Sequence, residues 1–265
     1  MLYWGTIVKM KNQLEDPVQY TLPIGEDMVL MNELIGKYIL FKWEGEINCI
    51  SCGRNTNKSF SQGFCYPCFI NAPETSECIF RPQLCQAHKG IARDMEWAKR
   101  HCLQDHFVYL AISSGVKVGV TRSEQIPTRW MDQGAWQAIK LAKTSNRYTA
   151  GLIEVSLKEH ISDRTQWQSM LKNKLIEGVD LLEKKQEMLD HLSDELRRYE
   201  CDDNDITEII YPVKEYPEKV KSLSFDKSNE IEGRLWGIKG QYLMFDDGKV
   251  LNIRKHNGYK VSLEV

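Results

Sequence analysis

The sequence predicts an α+β chain, and three features carry that prediction. Strand-like runs fill residues 1–48 and return in residues 205–265, seven of the eight cysteines crowd between Cys49 and Cys102, and amphipathic helical patterns occupy the stretch from about residue 128 to Cys201.

The N-terminal β region, residues 1–48, is read from "VQYTLPI", "MVLM" and "KYILFKW", β-rich runs punctuated by Pro23, Gly25, Gly36 and Gly45. Residues 49–106 hold the clustered cysteines, with a helix expected around 90–102. Residues 106–175 open on "HFVYLAISSGVKVGV", two strands that turn at Ser113, Ser114 and Gly115. Pro127 suits the first turn of the helix that follows. That helix is expected to carry Met131, Ala135, Ile139 and Ala142 on a buried stripe and Arg129, Gln133, Trp136 and Lys140 on a second stripe. "RYTAGLIEVSLKEHI" predicts a further helix, and residues 176–204 an acidic amphipathic one. The last segment, 205–265, alternates β-rich runs with Gly240, "DDG" and "NG", which predicts a small antiparallel barrel-like domain.

Charge is unevenly spread. Residues 81–175 hold 15 Lys and Arg against 8 Asp and Glu, whereas residues 176–209 hold 4 against 12. A basic block is the footprint of phosphate binding, and an acidic neighbour can equally neutralise it. The first residues, "MLYWGTIVKMKNQLEDP", lack a basic segment followed by an apolar run, and no membrane-length apolar stretch follows. A cytoplasmic protein that does not enter membranes is therefore expected, and its cysteines are read as ligands rather than disulfides.

The strongest chemical signal is "CISCGRNTNKSFSQGFCYPC". Two C-x2-C knuckles place Cys49, Cys52, Cys65 and Cys68 around one tetrahedral ion, with Gly53 and Gly63 permitting the turns. This is a zinc-ribbon pattern. A second zinc is read at Cys78, Cys85, Cys102 and His106, because C-x3-H at the end of a helix brings both ligands to one side; His88 is the alternative to His106, and His101 points elsewhere. Both centres are expected to be closed and structural. Cys201 stands apart from them.

"VYL" at 108–110, "KVG" at 117–119, "TRW" at 128–130 and the glutamate of "GLIEVSL" resemble, in order, the landmarks of the GIY-YIG nuclease superfamily. The resemblance implies a GIY-YIG-like α/β core in which Tyr109 is the first-strand tyrosine, Arg129 the helical arginine and Glu154 the ligand of a catalytic Mg²⁺. Lys117 stands where the family pattern has its second tyrosine; it can bind phosphate but cannot replace a phenol in activating water. Over nearly its whole length the chain is also similar to a bacterial family of zinc proteins of unknown function, through "QAHKGIARDMEWA", "SSGVKVGVTR", "TRWMDQGA" and "GIKGQYLMFDDGKVLNIRKH". The expectation that follows is a zinc protein that binds nucleic acid and can cleave it with Mg²⁺. Lys117, Arg122, Gln133, Trp136 and Lys140 supply the nucleic-acid contacts. The alternative is a non-catalytic zinc scaffold that holds a protein or RNA partner.

Overall fold

In the computed structural model, which describes residues 1–161, 165–174, 176 and 178–265, the β-rich ends of the chain meet in one sheet. The chain enters through β1 (Leu2–Thr6), β2 (Lys11–Gln13), β3 (Gln19–Ile24), β4 (Asp27–Leu30), β5 (Tyr38–Ile47) and helix α1 (Tyr66–Asn71). It continues with α2 (Met95–His101), β6 (His106–Ile112), β7 (Val116–Arg122), α3 (Thr128–Asp132), β8 (Gln137–Thr144), α4 (Arg147–Leu157) and α5 (Trp167–Leu171). Then come α6 (Leu181–Asp190), α7 (Asp194–Arg197), β9 (Thr207–Glu208), β10 (Lys221–Leu223), β11 (Glu230–Lys239), β12 (Tyr242–Phe245), β13 (Lys249–Asn252) and β14 (Tyr259–Glu264).

These elements divide into two units, Met1–Ala72 with Ile209–Val265, and Pro73–Glu208. In the first, seven strands run in the order β1-β14-β5-β11-β12-β13-β10, and β2, β3 and β4 form a small sheet of their own. Strand alternation puts Ile39 and Phe41 of β5 and Val261 and Leu263 of β14 in the core, fully shielded from solvent. The two terminal β regions expected as separate domains are therefore one structure: β5 pairs with both β11 and β14.

The second unit carries a sheet of order β7-β6-β8-β9. Val108, Leu110, Ile139 and Leu141 from its strands form one apolar core with Ala150, Ile153 and Leu157 of α4 and Leu181, Met188 and Leu189 of α6. The predicted hairpin of β6 and β7 and the predicted helix α4 are present. The long helix expected after Pro127 is not. Gly134 takes a left-handed φ of +67° just beyond α3 and stops it, and residues 137–144 become β8, an antiparallel partner of β6. Ala138, Ile139, Leu141 and Ala142 are buried in that strand, a spacing that helix and strand periodicities share. The acidic helix also divides, into α6, capped by Asp180 Oδ1 accepting from the Leu182 and Glu183 amides, and the short α7. Of that predicted helix, residue 177 lies outside the described residues; so do residues 162–164 and 175 of the segment before it. Among the described residues no helix is long and apolar enough to cross a membrane.

One buried cation makes the first unit sensitive to pH. Lys239 is wholly shielded, its Nζ 5.2 Å from the Tyr211 ring centre and 5.1 Å from that of Tyr216. Burial pushes its ammonium down to about 8. Below pH 8 both folded and unfolded chains carry this proton, and the folded state bears the cost of a buried charge. Between about pH 8 and the ordinary lysine value of about 10.4 the folded state releases its proton first, so stability rises with pH. We expect the free energy of unfolding to gain about 2 kcal/mol from this group between about pH 8 and 10, measured as the wild-type curve minus that of Lys239→Met. A flat difference would remove the buried-charge account.

Candidate metal centres and a polar cluster at Tyr109

The first metal centre lies in the loops after β5. Cys49 leaves that strand through a tight turn in which its carbonyl accepts from the Gly53 amide and its own amide donates to the Arg54 carbonyl, with Gly53 at φ +71°. Ile50 donates to the Gly63 carbonyl, Phe60 and Phe64 exchange a pair of bonds, and Cys65 caps α1, which carries Cys68. All four sulfurs lie within 4.8 Å of one another, and Cys52 Sγ is 3.8 Å from Cys65 Sγ. Zinc with tetrahedral bonds of about 2.3 Å needs sulfurs about 3.8 Å apart. Burial opposes ionisation of Cys49, but amides of Cys65, Cys52 and Ser51 donate to its sulfur and pull the thiol down to about 6. Cys68, hydrogen-bonded to Cys52, is pushed up to about 12. A set that already stabilises one thiolate through backbone donors fits a zinc ion.

The second centre lies in the other unit. Cys78, Cys85 and Cys102 bring their sulfurs within 4.8 Å of one another. Hydrogen bonds from Cys102 and Cys78 hold Cys85 strongly toward the thiolate, and the Arg147 charge acts in the same sense. Arg147 is anchored beside them, its Nη2 3.2 Å from the His101 carbonyl and its Nη1 3.5 Å from that of Cys78. His106, expected as fourth ligand, is not in the group. Helix α2 ends at His101, Cys102 only caps it, and the chain turns before β6, so Cys102 and His106 are not one helical turn apart. His106 is almost wholly buried, its Nδ1 2.7 Å from the Gln104 carbonyl and its Nε2 shielded without a hydrogen-bond partner, and burial pushes it down to about 4, leaving a neutral ring with one nitrogen available to a metal. His88 is exposed and stacks on Tyr148, and His101 stacks on Trp97.

The residues proposed for phosphodiester chemistry gather around Tyr109. Its phenol donates to Gln133 Oε1 at 2.9 Å, and its ring meets Trp130 edge to face at 6.0 Å. Burial raises the phenol, the Arg129 guanidinium pulls against that rise, and the Glu154 carboxylate adds to it, so both charges reach Tyr109. Tyr109 pairs with Gly119 across β6 and β7, and a Cβ at Gly119 would lie 2.6 Å from the phenol oxygen. A glycine there is what lets the ring lie over the strand. Tyr109 itself is fully shielded. Glu154 is nearly so, with Oε2 3.3 Å from Lys158 Nζ. Arg129 is half-buried, and among the described residues no carboxylate forms a salt bridge with it.

The other expected contacts are scattered or engaged. Lys117 is buried and donates to Thr165 Oγ1. Lys140 Nζ is 2.5 Å from Asp203 Oδ2, Arg122 is 2.7 Å from Glu124, and Trp136 packs on the apolar core. Because β8 is a strand, Trp136 and Lys140 do not continue a helical stripe from Arg129. Reading residues alone missed Lys158, although its place four residues after Glu154 marks the pair, and Arg147, whose role depends on a contact distant in sequence.

A family model described as protein of unknown function (DUF2797) matches residues 36–261. The chain belongs to the DUF2797 family. No curated protein and no solved structure matches it. For DUF2797 the family description assigns no activity, so the chemistry of this member rests on the two cysteine clusters and on the residues around Tyr109.

Proposed function

We propose that this protein binds nucleic acid through a GIY-YIG-like core in its second unit, with the two metal centres as structural supports. One observation carries the reading: Arg129, half-buried and without a carboxylate partner among the described residues, lies against the Tyr109 phenol beside Gln133. A planar guanidinium so placed is a fork for a backbone phosphate, and the Gln133 amide nitrogen, whose oxygen is held by the Tyr109 phenol, can donate to the same oxygens. Lys140 and Arg122 contribute less than the sequence charge suggests, since carboxylates hold them.

Arg129→Ala is expected to weaken binding of single- or double-stranded probes about tenfold and to lower the salt slope by about one phosphate contact. Fluorescence anisotropy across a salt series measures both. Wild-type protein that binds no DNA or RNA at low salt would leave the non-catalytic scaffold for a protein partner as the better reading.

A second reading, Mg²⁺-dependent cleavage, is favoured by Glu154 lying in the electrostatic reach of Tyr109. Lys158 occupies the carboxylate, so Mg²⁺ must displace that ammonium before phosphate completes the coordination. On this reading Glu154→Gln abolishes cleavage while leaving affinity in EDTA unchanged, and Tyr109→Phe slows cleavage with little effect on binding. Failure of the wild type to cut single-stranded, duplex and branched substrates would leave a binding fold.

A further inference from the structure

Cys78, Cys85 and Cys102 bring three sulfurs within 4.8 Å of one another, one donor short of a tetrahedral zinc. His106 carries the donor they lack. Its ring is buried, and its Nε2 is shielded with no hydrogen-bond partner; no other histidine nitrogen among the described residues is in that position. Its Nδ1 lies 2.7 Å from the Gln104 carbonyl. A carbonyl oxygen only accepts, so Nδ1 carries the proton and Nε2 keeps its lone pair. Zinc-ligating histidines are held in this way, one nitrogen donating to a carbonyl and the other turned to the metal. A buried acceptor without a donor costs stability, and a metal ion is a partner that removes the cost.

The ring lies within electrostatic reach of Cys85 and of Arg147. Other donors nearby are engaged: His101 Nδ1 is 2.8 Å from the Trp97 carbonyl, the His88 ring stacks on Tyr148 at 4.3 Å, Glu77 pairs with Arg81 at 3.1 Å, and Asp94 caps α2. His106 Nε2 is not within 4.8 Å of all three sulfurs, so ligation draws ring and thiolates closer together. Three thiolates and a neutral imidazole leave zinc with a net charge of about −1. The Arg147 guanidinium, which acts on both Cys85 and Cys102, offsets it.

Such a ligand would tie the metal to the elements around Tyr109. His106 is the first residue of β6, and Tyr109 follows in the same strand. Arg147 is the first residue of α4; its amide donates to the Cys102 carbonyl at 2.8 Å, and its guanidinium to the carbonyls of His101 and Cys78 at 3.2 and 3.5 Å. Glu154 lies about two turns further along that helix. We propose that His106 Nε2 is the fourth donor of a closed zinc centre with Cys78, Cys85 and Cys102, and that this centre braces the start of β6 against the start of α4, setting the spacing between Tyr109 and Glu154. Nε2 gives its lone pair to the metal, and no proton leaves the ring. The proposal goes beyond the nucleic-acid reading and does not depend on it.

X-ray absorption of the full-length zinc form tests the ligand. Four thiolates in one centre and three with an imidazole in the other average about 3.5 sulfurs and about 0.5 imidazole nitrogens per zinc. His106→Ala is expected to keep the first zinc and to hold the second at least about tenfold more weakly against a chromophoric chelator. Amide exchange should become rapid at the starts of β6 and α4 in that variant, and also in wild-type protein stripped with EDTA. His106→Cys supplies a thiolate instead and is expected to restore retention and protection, with about 4 sulfurs per zinc. Wild-type protein with one zinc per chain, or with two and no imidazole scattering, overturns the ligand, as does His106→Ala that retains both ions as the wild type does. If His106→Ala fails to fold, the wild-type spectrum still decides the ligand and the EDTA-stripped protein the brace. Stripped protein whose β6 and α4 keep full protection overturns the brace.

Discussion

Serine at both Cys49 and Cys52 is expected to unfold the loops of the first centre and to strip the sheet beside them. Little else holds residues 49–72. Helix α1 has six residues, none of them buried, and the local apolar cluster consists of Cys49, Phe64, Cys65 and Ala72 with Cys68 and Phe69 against it. Zinc in such knuckles contributes about 10 to 16 kcal/mol of apparent binding energy, comparable with the roughly 5 to 15 kcal/mol that stabilises an entire domain. The loss spreads because the ribbon is stitched to the carboxyl-terminal strands: Asn48 donates to the Gly258 carbonyl at 2.7 Å and Asn257 to that of Gln62 at 3.0 Å. Metal content should fall by one zinc per chain, and amide exchange should become rapid in residues 48–72 and at the start of β14. Unchanged exchange in a variant lacking that zinc would show that the ribbon folds without it.

Gly151→Ala is expected to destabilise the second unit by about 2 kcal/mol, the opposite of what an alanine in a helix normally does. Helix propensity alone favours alanine by about 1 kcal/mol. The new Cβ, however, would lie 2.2 Å from the Gln83 nitrogen and 2.4 Å from the Pro82 carbonyl carbon, both backbone atoms. Overpacking of this kind costs about 3 kcal/mol and wins. The turn Pro82–Leu84 must lift from α4, and Cys85 follows it directly, so weaker zinc retention should accompany the lower stability. Urea unfolding together with zinc release to a chromophoric chelator measures both. A stabilised variant with normal zinc would mean that the turn yields freely.

Cysteine spacing made the first centre legible, because ligand geometry in C-x2-C knuckles is local. The β6–β7 hairpin and α4 were legible for the same reason, through a turn at Ser113–Gly115 and a clear apolar period in residues 147–157. Strand β8 was not, since its buried residues satisfy two periodicities and only pairing with β6 decides between them. Nor was the place of His106, which is set by where α2 ends and not by a helical turn from Cys102. The pairing of β5 with β11 and β14 joins residues nearly 200 or more positions apart, and no window along the chain contains both partners.

The first unit is thus interrupted by the second, since residues 73–208 intervene between its two parts. During synthesis β5 emerges long before β11 and β14, and its Ile39 and Phe41 must wait uncovered for strands not yet made. The intervening unit owes nothing to that delay and can form as soon as its own residues are out. Assembly order therefore runs against chain order, with the middle finished first and the beginning completed last. The window of risk for misassociation falls on β1 and β5, whose partners are β14 and, for β5, also β11.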